Sequence, residues 1–219
     1  MRTMQITGCG RLKVHTDVTL VTLTLETVDP DHDEALRRST RDTEELRARL
    51  AGSGFARTDL KTVGFQVSTK YEDFMDGDEY RQRFAGYQVW HQMKLEFPSD
   101  DQRLSGVLAV LSASPAAPEI RLSYTVGDPE SVKNRLLEIA VADAREKAAV
   151  LARAAGVELK EIRQIGHAWD EFRLRVDPAE PMILSVTPGA DRAARSLSLD
   201  IEPEDLDIQD TVTVVWEIG

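Results

Sequence analysis

The chain has 219 residues, with 27 Lys and Arg against 38 Asp and Glu, which gives a formal net charge of −11. Hydrophobic residues make up 42% and charged residues 30% of the sequence, as in ordinary globular proteins and unlike disordered or collagen-like chains. The acidic balance argues against a nucleic-acid-binding protein, because the phosphate backbone selects clustered positive charge. Cys9 is the single cysteine, so the chain cannot form an internal disulfide. The length predicts one domain over residues 1–219.

Alternating apolar and polar residues predict most of the strands. The predicted strands are a short one around Ile6, another at 12–14, and longer ones at 19–26, 63–71, 89–97, 120–126, 162–168 and 212–218. The strands at 63–71 and 89–97 form a long hairpin with Asp76-Gly77 as its tip. Several prolines between 170 and 210 predict a loosely structured segment, with 182–186 as a candidate edge strand.

Capping residues and a 3–4 spacing of apolar residues predict three helices. The first begins at Asp31 or Asp33 and ends at Ala51; a Ser99–Gln102 capping box opens the second, which ends before Pro115. The third starts at Asp128-Pro129 and is stopped by Gly156. The predicted inward stripes are Leu36, Thr43, Leu46 and Leu50, then Leu104, Val107, Leu108 and Leu111, and finally Leu137, Val141, Ala144, Ala148, Leu151 and Ala155.

Hairpins combined with helical crossovers predict an α+β fold. We expect a mixed, mostly antiparallel sheet with helices packed on one face, including one long Ala-rich helix. Residues 1–7 contain no apolar run like that of a signal peptide, and Pro115 interrupts the least charged stretch, 104–118. We therefore expect no membrane span and, for the sequence as written, a cytoplasmic location.

Motifs that carry chemistry are sparse in this sequence. Gly8-Cys9-Gly10 lacks the third glycine and the helix of a dinucleotide site, so we expect it to allow a bulge or a close backbone approach. Trp90 is predicted on the strand face opposite Met93 and Leu95, where it serves either a contact surface or local packing. The histidines show no ligand spacing; they are His15, His32, His91 and His167.

Two acidic stretches, 72–79 and 200–210, lack the ligand spacing of a calcium loop and are expected to be solvated. No nucleophile elbow, phosphate-binding loop or metalloprotease motif occurs in the sequence. We therefore predict no catalytic residues, no cofactor and no metal site. A small-ligand or divalent-cation site in the acidic stretches remains the alternative, and a hydrolase with a carboxylate pair is a third hypothesis.

Four segments resemble the SIMPL-domain family, in the family's order and over nearly the whole chain. Ile6-Thr7-Gly8-Cys9-Gly10 with Val14, Asp17 and Val18 is similar to the opening I-x-V-x-G-x-G-x-x-x-V-x-P-D-x-A, with Thr16 in place of the proline. Tyr71 and Gly86-Tyr87-Gln88-Val89 resemble the family's middle strands. Residues 142–156 resemble its D-A-x-x-K-A-x-x-L-A-x-x-x-G helix, and 212–218 its terminal V-T-V-x-F-E-L strand.

The resemblance implies an α+β fold, self-association into large assemblies in some members, and no established catalytic residues. Members include exported bacterial proteins linked to stress responses and a kinase-associated signalling protein. We therefore expect a non-enzymatic, self-associating protein, a scaffold or stress-related factor, that forms homo-oligomers. The residues that match the family and are expected to be structural are Gly8, Gly10, Asp17, Gly86, Tyr87, Asp143, Lys147 and Gly156.

Overall fold

The computed structural model describes residues 2–76, 79–167, 175–176 and 203–219. The helices are α1 (His32–Ala51), α2 (Asp101–Ser112) and α3 (Pro129–Ala155). The strands are β1 (Arg2–Val14), β2 (Val18–Asp29), β3 (Lys61–Asp76), β4 (Glu79–Pro98), β5 (Glu119–Thr125), β6 (Leu159–His167), β7 (Arg175–Val176) and β8 (Leu206–Ile218). The predicted α+β fold is confirmed. The glycine of the predicted hairpin tip and the predicted strand at 182–186 lie outside the described residues.

The elements form two compact units with a sheet in each, where the sequence predicted one mixed sheet. The first unit contains β1, α3, β6, β7 and β8, and its sheet has the order β1-β8-β6. β1 pairs antiparallel with β8 from Arg2↔Ile218 to Val14↔Leu206, and β6 pairs antiparallel with the other edge of β8. α3 packs its alanine face on this sheet, against Ile6, Val214 and Trp216 among others.

β1 is one continuous strand, whereas the sequence predicted two short strands separated by Gly8-Cys9-Gly10. Its alternate residues, including Ile6, Gly8 and Gly10, are buried on one face, as the period of two requires. The glycines therefore lie within the strand and belong to its packed face. The alternative that the sequence left open, close backbone approach, is the one observed.

The second unit contains β2, α1, β3, β4, α2 and β5, and its strands have the order β3-β4-β2-β5. β2 pairs antiparallel with β4 from Val18↔Pro98 to Asp29↔Tyr87, and β3 pairs antiparallel with the other edge of β4. α1 and α2 contribute leucines to the core on one face of this sheet. The buried members of that core are Val21, Leu23, Leu25, Leu46, Leu50, Phe55, Leu60, Met93, Leu95, Phe97, Leu104, Val107, Leu108, Leu111, Ile120, Leu122 and Tyr124.

The predicted cap of α2 was wrong by one residue. Asp100 is the N-cap, and its carboxylate accepts a hydrogen bond from the backbone N–H of Arg103 at 2.7 Å. The Ser99 hydroxyl instead lies 3.0 Å from the Thr19 hydroxyl of β2. Serine and aspartate are both good N-cap residues, and the local spacing alone did not show which of the two neighbours caps the helix.

The inward stripe predicted for α1 is confirmed at Thr43, Leu46 and Leu50 and wrong at Leu36, whereas the stripe predicted for α3 is displaced. α1 buries Ala35 and Ser39 and leaves Leu36 only partly buried. α3 buries Leu136, Ala140, Ala144, Ala148 and Ala152, so its inward face is shifted by one residue at several positions. Leu151, which was predicted to face inward, is 48% exposed. No helix among the described residues combines the length and apolar character needed to cross a bilayer.

Candidate functional site

Gly8 and Gly10 lie directly beneath the backbone of α3. A Cβ atom at Gly8 would stand 2.0 Å from the Ala140 carbonyl oxygen and 2.6 Å from the Ala144 Cβ atom. A Cβ at Gly10 would stand 2.2 Å from the Leu136 carbonyl oxygen. The helix therefore touches the strand backbone, which only glycine on the strand and small residues on the helix allow.

Asp143 bridges the same helix and strand by polar contacts. Its Oδ2 atom accepts a hydrogen bond from the backbone N–H of Cys9 at 2.7 Å and from Lys147 Nζ at 2.6 Å. The Lys147 hydrogen bond, followed by the Cys9 N–H bond, lowers the pKa of the Asp143 carboxyl below its ordinary value. β1 is an edge strand of its sheet, so Asp143 satisfies a backbone donor to which no described strand is paired.

Asp17 and Gly156 hold backbone turns in the first unit. The Asp17 carboxylate accepts the backbone N–H of Gly127 at 2.7 Å, shortly before α3 begins. Gly156 ends α3 with φ of 66°, the left-handed conformation common at helix C-termini. Asp17 and Gly156 therefore both have a structural role in the backbone.

Gly86 and Tyr87 belong to β4, next to an irregularity in its pairing with β3. Gly86 has φ of 143°, and a Cβ atom there would lie 2.5 Å from the Asp29 carbonyl oxygen. Tyr87 pairs with Asp29 of β2, and its ring packs edge-on against His32 of α1 with centroids 5.3 Å apart. The eight family-matching residues therefore fall into two groups, one in each unit, rather than into one site.

The β3–β4 hairpin carries an exposed apolar surface, which we name the hairpin strip. We define it by Phe65, Val67, Tyr71, Phe84 and Tyr87. The first four of these are 53%, 36%, 56% and 47% exposed, and Tyr87 is half-buried. An apolar surface of this kind on a folded protein marks a contact surface more often than scattered single residues do.

The rings of the hairpin strip form a chain of edge-on contacts. Centroids lie 5.9 Å apart for Tyr71 and Phe84 and 5.4 Å apart for Phe84 and Tyr87. Phe65 packs edge-on against buried His91 at 5.2 Å. These are favourable geometries for aromatic pairs, so the strip is held in place before any partner binds.

The hairpin strip continues the face of the sheet that α1 covers. Val67 pairs with fully buried Val89, and Phe65 pairs with His91, so both point to the side of α1. α1 packs mainly on β2 and β4. Most described side chains of β3 are consequently exposed, although they alternate as a strand with a buried face would.

β3 is also the edge of its sheet. One side of the strand pairs with β4, and no strand among the described residues pairs with its outer side. An edge strand presents a row of backbone N–H and C=O groups to which another strand can bind. Exposed apolar side chains and an available edge thus coincide on one element.

His91 is a buried imidazole with both nitrogens occupied. The Thr43 hydroxyl donates to the Ser39 carbonyl at 2.8 Å, so its oxygen is the acceptor for His91 Nδ1–H at 3.1 Å. His91 Nε2 then accepts from the Thr62 hydroxyl at 2.8 Å. Burial, followed by the charge of Arg47, lowers the pKa of His91 and keeps the ring neutral. His91 is therefore a core histidine whose two ring nitrogens both have hydrogen-bond partners.

Two aspartates of the acidic C-terminal stretch contact different basic side chains. Asp205 lies 3.0 Å from His15 Nδ1 and 3.7 Å from Lys13 Nζ. Asp210 lies 2.7 Å from His167 Nε2, and both of these side chains are largely buried. Sequence reasoning missed both histidine–aspartate pairs, because the register of β8 brings their partners together from distant positions. Among the residues whose side chains the structure describes, no three His, Cys, Asp or Glu side chains converge as metal ligands.

Trp90 has a packing partner on its own face of the sheet. A Cβ atom at Gly64 would lie 2.7 Å from Cζ3 of the Trp90 ring. The ring therefore covers a glycine of the edge strand, a known way of stabilising glycine in a sheet. The sequence left open whether Trp90 forms a contact surface or packs locally, and its contact with Gly64 supports local packing.

A surface depression runs along α3. It is lined by Leu137, Val141 and Ala149, with Arg145 and Glu146 among its polar neighbours. All of its lining residues lie on one helix, so it is an open groove. Its charged side chains do not form the buried, converging set that acid–base catalysis uses.

The comparisons with known proteins agree with the motifs in the chain. A comparison with curated proteins found no match. The family model SIMPL, described as a protein of unknown function (DUF541), matches residues 4–216. That range contains all eight family-matching residues, from Gly8 to Gly156. The resemblance identified from the sequence is confirmed, and the chain belongs to the SIMPL family.

Proposed function

We propose that this protein is a non-catalytic scaffold that associates with further copies of itself. The observation that carries the proposal is the hairpin strip on an edge strand. It supplies both elements of strand-mediated association, since the edge gives backbone hydrogen bonds and the alternating side chains give specificity. A role in a stress response is the part of the proposal that rests on the family resemblance alone.

The non-catalytic part of the proposal is supported by what the ionisable groups do. Asp143 binds a backbone N–H and a lysine, His91 is held neutral between hydroxyls, and Asp205 and Asp210 bind separate histidines. Each of these groups has a structural partner within its own unit. A screen against ester, phosphoester, glycoside and peptide substrates tests this part, and turnover abolished by replacing one ionisable residue would overturn it.

Self-association is tested by light scattering of the purified protein over a concentration series. We expect the mean mass to rise with concentration to a multiple of the 24.4 kDa chain. The double variant Phe65→Ser, Tyr71→Ser should lower that mass, because it removes apolar area from the hairpin strip. A wild-type protein that stays at monomer mass at the highest concentration would contradict the proposal.

A matched control comes from exposed apolar residues elsewhere. Val150 and Leu151 on α3 are 57% and 48% exposed, similar to the residues of the strip. The double variant Val150→Gln, Leu151→Gln removes comparable apolar surface from a helix and should leave the mass unchanged. If both double variants lower the mass equally, association depends on general hydrophobicity and the hairpin strip has no special role.

A further inference from the structure

We propose that two copies of this chain pair antiparallel through the outer edges of β3, around a two-fold axis at Val67. The inference rests on the proposed self-association and adds the contact surface and its register. β3 is long, and its side chains are exposed on both faces along most of its length. The partner is therefore an extended strand, and the sequence of β3 itself fits that partner.

The geometry of antiparallel pairing limits where the axis can lie. Residues directly opposite each other point to the same face and direct their backbone groups in the same sense. Along one strand, successive residues alternate in the face to which the side chain points and in the direction of the backbone N–H and C=O groups. A two-fold axis between two residues would therefore place residues of opposite orientation across from each other. The axis must pass at a residue, and residues equally distant from it face each other.

An axis at Val67 matches opposite charges at the ends of the exposed run. Because β3 carries one extra residue between Thr62 and Gly64, the axis places Lys61 of one copy opposite Glu72 of the other, and the two side chains lie on the same face. Opposite charges across a strand pair stabilise it and like charges destabilise it, so the charges favour this register.

The same axis also matches the apolar side chains. Val67 faces its own counterpart and Phe65 faces Thr69, both on the α1 side of the sheet and beyond the two strands on which α1 packs. Pairs of aromatic with β-branched residues are among the favourable cross-strand contacts. The hairpin strips of the two copies then form one continuous apolar surface.

The competing axis at Tyr71 would pair Lys70 with Glu72 and is less favourable. It would place Asp73 opposite Thr69 and leave the segment from Lys61 to Phe65 without a partner. Val63 and Phe65, which are 52% and 53% exposed, would stay exposed in such a dimer. The axis at Val67 therefore covers more of the exposed strand than the axis at Tyr71 does.

Site-directed cross-linking distinguishes the two registers. In a Cys9→Ser background, single variants Val67→Cys, Thr69→Cys and Tyr71→Cys are treated with a thiol-bridging reagent such as dibromobimane. Opposed Cβ atoms lie about 5 Å apart in an antiparallel pair, so we expect only Val67→Cys to give a covalent dimer in high yield. Preferential bridging of Tyr71→Cys would overturn the register, and bridging of none would overturn β3 pairing.

A charge at the axis provides the second test. Val67→Lys places two ammonium groups opposite each other, and the light-scattering mass should fall at every concentration at which the wild type associates. Val150→Lys introduces the same charge on α3 and should not change the mass. A monomeric wild type would refute the proposed self-association itself. An associating wild type that is insensitive to Val67→Lys would refute only the pairing inferred here.

Discussion

The backbone N–H of Cys9 donates a hydrogen bond to the Asp143 carboxylate across 2.7 Å, although the two residues are 134 positions apart. The bond joins the edge of β1 to the face of α3, directly above the glycines at which helix and strand touch. The family's N-terminal glycine motif and its helical D-A-x-x-K-A motif therefore describe two sides of one contact. Both motifs therefore contribute to helix–strand packing in this chain.

Gly8→Ala should destabilise the first unit by about 2 kcal/mol or more, because the added methyl overlaps the Ala140 carbonyl and neither backbone can yield cheaply. Denaturant unfolding measures the change. Gly106→Ala is the control, since Gly106 lies within α2 and a Cβ there meets nothing within 4 Å. That variant should stabilise by about 0.5–1 kcal/mol through helix propensity. Equal effects at the two glycines would contradict the close approach.

Asp143→Ala should destabilise the protein by about 1 kcal/mol, because it leaves the Cys9 N–H without its acceptor. Asp143→Asn keeps an acceptor oxygen and should cost less. Glu138→Ala on the same helix removes only an exposed ion pair with Arg135 and should have little effect. The readout is urea unfolding at neutral pH, and equal losses for Asp143→Ala and Glu138→Ala would exclude the proposed role of Asp143.

The contribution of Asp143 should also depend on pH in a defined sense. Its pKa is lowered in the folded state, so its contribution is present above the unfolded value near 3.8 and is lost as the pH falls through the folded value. The difference in unfolding free energy between wild type and Asp143→Ala should therefore shrink in acid. A difference that grows on acidification would contradict this sign.

His91 should make the second unit sensitive to mild acid. Its folded pKa is lowered, so neutral His91 favours folding above the unfolded value of about 6.5, and this advantage is lost as the pH falls below it. Protonation also removes the acceptor that the Thr62 hydroxyl uses. Wild-type unfolding free energy should fall between pH 7.5 and 5.5, and His91→Gln should show a flatter profile.

His32 provides the control for the acid effect. It lies in the same unit, and 49% of its side chain is exposed. His32→Gln should keep the wild-type pH profile. If the dependence of the unfolding free energy on pH became flatter in His32→Gln and stayed unchanged in His91→Gln, the prediction would be wrong.

Gly86→Ala should be more destabilising than Gly54→Ala. Both glycines have positive φ, 143° and 84°, so alanine is strained at either position. At Gly54 nothing lies within 4 Å of the added Cβ, and the cost is that of the backbone alone, about 1 kcal/mol. At Gly86 the Cβ also meets the Asp29 carbonyl oxygen. Thermal unfolding of the two variants compares them, and a larger loss at Gly54 would disprove the packing argument.

Much of the local structure could be predicted because its causes are local. Asp128, Pro129 and Gly156 mark the ends of α3, and strand alternation marks β2, β4 and β8. The inward face of α3 could not be predicted in the same way. Large residues such as Leu137 and Val141 suggested one stripe, but a helix lying on glycines buries alanines, and that requirement comes from a distant strand.

The sequence could predict the strand that carries the hairpin strip, but not the exposure of its apolar face. Alternation at 63–71 correctly indicated a strand with one apolar face, and this pattern normally implies that the face is buried. Whether α1 reaches over β3 depends on strand order, which the sequence does not state. The strip therefore became visible only when β3 was placed at the edge, beyond the two strands that α1 covers.

The pairing of β1 with β8 has a consequence for how the protein is made. Of the described elements, β1 is synthesised before all the others, but β8, its described strand partner, is synthesised after β2 to β5. The second unit can fold while β1 still has no strand paired to either of its edges. Completion of the first unit is therefore a late event in biogenesis, and nascent chains stalled before β8 are the forms that most need chaperone protection.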